Sequence, residues 1–311
     1  MLIWLTQFKG ELAALSAAFL WAIASVIYTR IGQRVPPLVL NSLKGVIAIA
    51  FLAITLWLQG SGLPDINGTA LGLLILSGVV GIGFGDTYYF AALNLLGPRR
   101  TLLLEALAPP LSAFLALLFL QETLKLSNWL GIFLTIVGVT WVVSERSPTE
   151  TANSATGKPT HPLLGVGYGL LAALGQAGGA VLSRAALTQS TISPLWSTLV
   201  RLATGVLVML VWLLVRRQAG LVMQTLEFER DRRKGMSWLG AIAITSFFST
   251  YLGIWLQQTS LKFTAVGVAQ ALSSTSPLFI LPIAIAMGEV VSRQAILGVL
   301  VAWAGVWFLF S

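Results

Sequence analysis

The sequence predicts an all-α integral membrane protein with ten transmembrane helices, arranged as two inverted five-helix repeats. Three observations predict this fold: the composition, the spacing of long apolar runs, and a similarity between the two halves of the chain. Of the 311 residues, 56% are hydrophobic and only 10% are charged, whereas a soluble domain carries roughly 25% charged residues. Because a bilayer offers no water to the backbone, apolar runs of about 20 residues indicate spanning helices.

Ten apolar runs of this length occur, and their boundaries are defined to within several residues. The first five cover residues 11–30, 37–58, 69–95, 98–120 and 126–144. The second five cover residues 163–187, 193–215, 237–261, 265–287 and 293–310. A polar stretch rich in Ser, Thr and Pro separates the two groups. We therefore predict a first repeat at 10–144, a linker at 145–162 and a second repeat at 163–310.

The sequences of the two halves show similarity when they are aligned with each other at a suitable offset. A shift of 168 residues superimposes Gly72 on Gly240, Gly85 on Gly253, Leu93 on Leu261, and Pro109 on Pro277. Further upstream, a shift of 157 residues pairs Lys44 with Arg201. Chance matches arise between apolar regions, but rare residue types that recur in one order favour an ancient duplication. Because five is an odd number, the second copy enters the membrane from the opposite side, as in many secondary transporters.

The charged residues restrict both the class and the orientation. The formal charge of +8 resides in short loops and forms no continuous basic face, so we expect no nucleic-acid partner. Lys and Arg lie mostly in the loops opposite the termini, which predicts termini outside the cytoplasm; much of this bias comes from Arg216 to Lys234. There is no cysteine, and the one histidine, His161, lies in the linker. We therefore expect neither a metal nor a cofactor.

Four short motifs identify a family. The end of the fourth span and the start of the fifth read LQETLKLSNWLGIFLTIVGV (120–139) and MGEVVSRQAILGVLVAWAGV (287–306), and the prolines lie in EALAPPL (105–111) and SSTSPLF (273–279). In these motifs the chain resembles the drug/metabolite transporter superfamily, specifically EamA-type members with two tandem domains. The resemblance implies transport of small metabolites, such as amino acids or related compounds, through a central cavity in the cell membrane.

Charges within spans are costly, by about 2.5 to 3.5 kcal/mol each at mid-bilayer, so each suggests a partner or a function. Four qualify: Lys44, Asp86, Glu105 and Arg201. Asp86 and Glu105 flank the turn near Leu96 on adjacent helices, which places both roughly 14 Å below the surface. With Lys44 they form either a proton or substrate site, or a buried structural ion network.

Arg201 is expected in the opposite leaflet, without a carboxylate partner. Either it binds an anionic group of the substrate by bidentate hydrogen bonds, or it snorkels to lipid headgroups. Further candidates for the cavity wall are aromatic rings, amides and helix-kinking prolines, namely Trp21, Tyr88, Tyr89, Pro109, Gln176, Gln257, Gln270 and Pro277. Packing, helix-to-helix hydrogen bonding and simple kinks are the alternative interpretations of these residues. Glu122 and Glu289 lie where spans meet water, so we interpret them as loop anchors.

The glycines at 79–86 and 165–179 have the density of a dinucleotide-binding loop, but the preceding strand that such a loop needs is absent. Close helix contact is the better interpretation.

A carrier driven by its own substrate gradient or by protons is thus the leading hypothesis. An intramembrane enzyme that uses Asp86 and Glu105, and a passive channel, are the alternatives. The expected partners are the substrate, protons and lipids, and we expect a monomer or a weak homo-oligomer.

Overall fold

The computed structural model describes residues 7–32, 37–60, 66–96, 98–144, 162–215, 238–286 and 292–310, and the single positions 35, 62 and 64. Every regular element in these ranges is a helix. Six of the described helical segments are long and apolar enough to cross a bilayer, and the apolar helices Val266–Ile280 and Arg293–Leu309 are shorter. Large apolar side chains such as Phe119 and Leu163 are exposed, as is expected where lipid is the solvent. The chain is therefore a helical, multi-pass membrane protein.

The helices of the first half begin and end close to the predicted spans. They are α1 (Lys9–Gly32), α2 (Pro37–Leu58), α3 (Gly68–Ser77), α4 (Asp86–Leu96), α5 (Pro98–Glu105), α6 (Ala108–Leu120) and α7 (Leu126–Ser144). A π-helical segment, Gly78–Gly85, joins α3 to α4 without a break. The Asn67 side chain starts α3 by accepting a hydrogen bond of 2.7 Å from the backbone N–H of Ala70.

The helices of the second half follow a similar order. They are α8 (Pro162–Thr188), α9 (Pro194–Val215), α10 (Trp238–Ser246), α11 (Gly253–Phe263), α12 (Val266–Ser273), α13 (Ser276–Ala286) and α14 (Arg293–Leu309). A second π-helical segment, Phe247–Leu252, joins α10 to α11. His161, Glu289 and the basic segment from Arg216 to Lys234 lie outside the described residues.

Two of the predicted continuous spans, 98–120 and 265–287, are interrupted in the structure. The first breaks after Glu105 and resumes at Ala108, and the second breaks after Ser273 and resumes at Ser276. A proline has no N–H for the carbonyl four residues earlier, so Pro109 leaves the Glu105 carbonyl without its helical donor. Both breaks, like the two π-helical segments, occur at places that the 168-residue shift superimposes.

Small residues bring neighbouring helices into close contact. α7 and α14 are antiparallel, with Gly138 so close to α14 that an added Cβ would lie 2.5 Å from the carbonyl oxygen of Gly298. α8 crosses the α3–α4 segment, where the Ser77 hydroxyl donates a hydrogen bond of 2.6 Å to the carbonyl of Gly179. Such contacts hold helices together in lipid, where burial of apolar surface provides little driving force. The glycines are therefore used for helix packing, as the sequence indicated.

Candidate functional site

A cavity of about 380 Å³ lies between helices of the two halves of the chain. Its walls include nearly all the candidate residues from the sequence, namely Trp21, Lys44, Asp86, Glu105, Pro109, Gln176, Arg201, Gln257, Gln270 and Pro277. The π-helical segments and the proline breaks contribute wall residues in each half, including Gly85, Ser249 and Ser274. The interruptions of regular helix therefore coincide with the cavity.

Tyr88 is the one candidate that does not line this cavity. Its ring packs on Tyr168 of α8, with 5.6 Å between the ring centroids, and the adjacent Tyr89 lines the cavity instead. Successive residues of a helix point about 100° apart, so only one of the two tyrosines can face the cavity. Of these two tyrosine candidates, Tyr89 is therefore the one in the cavity wall.

Asp86 lies where the π-helical segment passes into α4. Its Oδ2 accepts a hydrogen bond of 3.3 Å from Nδ2 of Asn41 on α2. Lys44 is almost one turn further along α2, and its ammonium nitrogen is 5.6 Å from the centroid of the Tyr28 ring. Lys44 and Asp86 both line the cavity.

Glu105 ends α5 at the proline break and faces the same cavity. Its Oε2 is buried and has no hydrogen-bond partner within the part of the chain that the structure describes. A buried carboxyl oxygen without a partner carries a desolvation cost that a bound proton or a ligand donor can offset. Glu105 is therefore available for such a donor.

Arg201 lies in the wall of the cavity that Asp86 and Glu105 also line. No carboxylate lies within salt-bridge distance of it among the described residues, and its predicted place in the opposite leaflet stays a prediction. The side chain of Arg201 is only 2% exposed. α9 packs directly on the π-helical segment, since an added Cβ on Gly78 would clash with the carbonyl oxygen of Arg201.

The second half supplies uncharged polar groups to the wall. Gln257 on α11 donates a hydrogen bond of 3.5 Å to Oε1 of Gln270 on α12. The indole N–H of Trp21 donates one of 2.8 Å to the carbonyl of Ser249 in the second π-helical segment. Tyr28, Ser249 and Thr250 also belong to the wall but were not candidates from the sequence. Ser249 and Thr250 lie in the second π-helical segment, which composition alone does not reveal.

A separate polar network lies where α6, α8, α11 and α12 end or begin. Glu122 forms an ion pair of 2.6 Å with Arg184 of α8, and its other oxygen accepts a hydrogen bond of 3.0 Å from the backbone N–H of Val266. Arg184 also donates to the carbonyls of Leu261 and Lys262 at the end of α11, at 2.8 Å each. Glu122 is therefore more than a loop anchor, because it connects the two halves of the chain.

The arrangement is typical of one class of protein. A multi-pass helical membrane protein with a cavity between its halves, lined by several charged side chains and bordered by interrupted helices, has the architecture of a small-molecule transporter. The EamA-like transporter family matches residues 8–144 and again residues 163–311. This chain belongs to the EamA-like transporter family, so the resemblance seen in its motifs is confirmed and it belongs with transporters of the drug/metabolite kind, not with enzymes.

Two further similarities agree with this assignment. The uncharacterized transporter YyaM of Bacillus subtilis (strain 168) is 28% identical over 103 residues, which are 33% of this chain and 33% of that protein. The matched stretch thus spans about a third of the relative's length. A solved structure described only as "Crystal structure of protein" has a TM-score of 0.72 at 18% identity and covers 97% of both chains. At this identity the likeness shows the fold alone.

Proposed function

We propose that this protein is a secondary carrier that moves a small metabolite, such as an amino acid or related compound, across the plasma membrane by alternating access. The observation that carries the proposal is the cavity between the halves, which contains Lys44, Asp86, Glu105 and Arg201. Its volume of about 380 Å³ falls in the usual range for small-molecule sites. Two cations and two carboxylates suit a small substrate that carries both an anionic and a cationic group.

The proposed mechanism needs an architecture of ten spanning helices in two inverted repeats, with repeat boundaries near 10–144 and 163–310 and a linker at 145–162. Three observations support it: the family matches the chain twice, the π-helical segments recur at one shift, and so do the proline breaks. In such a design, rocking of one repeat against the other exposes a fixed central site to each side in turn.

The four charged groups suit a substrate site better than a structural ion network. None of Lys44, Asp86, Glu105 and Arg201 lies within salt-bridge distance of an opposite charge among the described residues. A structural network would pair its charges directly, because unpaired buried charges are costly. We therefore assign Arg201 to an anionic group of the substrate, and Asp86 or Glu105 to its cationic group or to a coupled proton.

If protons drive transport, we expect the Glu105→Gln substitution to reduce the uptake that a pH gradient stimulates by at least about tenfold. Glutamine has nearly the same shape as glutamate, but its amide neither gains nor loses a proton near neutral pH. The measurement is uptake into proteoliposomes with and without an imposed pH gradient. Unchanged stimulation in Glu105→Gln would remove this residue from proton coupling, and Glu11→Gln, outside the cavity, is the matched control.

Counterflow in proteoliposomes tests the carrier function itself. Vesicles are loaded with an unlabelled mixture of the standard amino acids, and the entry of the same labelled mixture is followed. A carrier accumulates label transiently against the total gradient, because outward and inward movements share one site. A channel gives only passive equilibration. The proposal also expects the carrier to work as a monomer or a weak homo-oligomer surrounded by lipid.

A further inference from the structure

The guanidinium of Arg201 lies in a slot between two glycines from different helices. An added Cβ on Gly81 in the first π-helical segment would lie 2.8 Å from Nη2 of Arg201. An added Cβ on Gly179 of α8 would lie 3.3 Å from the same atom. A carbon and a nitrogen that are not bonded to each other clash at 2.8 Å. Arg201 therefore occupies space that is free only because Gly81 has no side chain.

A second observation indicates that this guanidinium can bind a ligand. Its Nε and Nη1 atoms are buried and have no hydrogen-bond partner among the residues that the structure describes. A guanidinium carries five N–H donors in a fixed planar fork, and a buried donor without an acceptor costs free energy. Because Arg201 borders the cavity, an anionic group within the cavity can supply the missing acceptors.

We propose that Gly81 and Gly179 position Arg201 so that its unpartnered N–H groups bind a carboxylate of the transported molecule. Gly81 is then a positioning residue that sets the selectivity of the cavity for carboxylate-bearing compounds. The substrate part of this proposal rests on the carrier function proposed above. The slot itself is a geometric property of the empty protein and can be tested without a substrate.

Gly81 is a better position for a test than Gly179. An alanine at Gly179 would also place its Cβ 2.8 Å from the Cα of Gly81, which is backbone, so it would push α8 away from the π-helical segment. At Gly81 the neighbour nearest to the added Cβ is the end of the Arg201 side chain, and the Cα of Gly179 follows at 3.4 Å. Gly81→Ala therefore displaces mainly the guanidinium.

A double-mutant cycle on thermal stability in detergent tests the slot. Gly81→Ala alone is expected to lower the melting midpoint by about 3 °C or more, because the new methyl group crowds Arg201. In an Arg201→Gln background the same change is expected to cost less than about half as much, since glutamine is shorter than arginine and ends before the slot. Gly72→Ala, which meets nothing within 4 Å, is the matched control. If Gly81→Ala lowered the melting midpoint equally in both backgrounds, the proposed slot would be wrong.

Counterflow of the labelled amino-acid mixture tests the ligand. Gly81→Ala is expected to raise the half-saturating concentration at least about tenfold while the maximal rate changes much less, and Gly72→Ala leaves both unchanged. The double variant with Arg201→Gln is expected to behave like Arg201→Gln alone. Normal saturation in Gly81→Ala would overturn the positioning role. Absence of counterflow in the wild type would instead overturn the proposed carrier function, while the thermal cycle still decides the slot.

Discussion

Replacement of Arg201 by glutamine is expected to raise the half-saturating substrate concentration by about 30-fold or more. Truncation of one partner of a buried, hydrogen-bonded charge pair typically costs about 2–5 kcal/mol of binding free energy, and 2 kcal/mol corresponds to roughly 30-fold. The fold is expected to tolerate the change, because the variant removes a cation that is 2% exposed and has two unpartnered nitrogens. Counterflow measures the first effect, and thermal unfolding in detergent measures the second.

The matched control for Arg201→Gln is Arg293→Gln. Arg293 is an exposed arginine at the start of α14 and does not line the cavity. Its replacement is expected to leave saturation unchanged. An Arg201→Gln protein that loses stability as severely as it loses substrate affinity would contradict a binding role and favour a structural one.

The Glu122→Gln variant is expected to destabilise the protein by about 3 kcal/mol. The side chains of Glu122 and Arg184 are only 18% and 16% exposed, and removal of one member of a partly buried ion pair leaves the other charge without its opposite charge. The amide also weakens the contact with the N–H of Val266 at the start of α12, where a negative charge is favourable. Chemical unfolding in mild detergent measures the loss.

A double variant tests whether the charges of Glu122 and Arg184 act as a pair. Glu122→Gln with Arg184→Gln is expected to cost less than the sum of the two single changes, because the pair then loses both charges together. Glu11→Gln is the control, since Glu11 lies in the first turn of α1 and takes no part in the network. Strictly additive losses would show that the 2.6 Å contact contributes nothing specific to stability.

The sequence predicted those features that depend on neighbouring residues and on the solvent. Long apolar runs gave the helices nearly to their ends, and the prolines at 109 and 277 marked the two breaks. Helix rise and a short turn placed Asp86 and Glu105 at one depth on adjacent helices, and both line the cavity. Such predictions need no knowledge of how distant helices pack.

The features that the sequence missed depend on packing between distant helices. Arg201 was a candidate from the sequence, but its close contact with Gly81 and Gly179 was not, because no local pattern shows how closely α8 and the π-helical segment approach it. A π-helical turn also holds more residues than an α-helical turn, so it rotates everything after it. Tyr88 and Tyr89 were both candidates, and only Tyr89 lines the cavity. The pairing of Glu122 with Arg184 likewise joins residues that are 62 positions apart.

Alternating access requires that the cavity between the halves opens to each side of the membrane in turn. The chain contains no cysteine, so Ser274→Cys, at a half-buried position in the cavity wall, introduces one reactive thiol, and a membrane-impermeant maleimide can be added to vesicles of either orientation. We expect modification from both sides, slowed by transported amino acids, and none at Ser77→Cys, which lies in a helix contact away from the cavity. Modification of Ser274→Cys from one side only, or from both sides without any effect of substrate, would contradict alternating access.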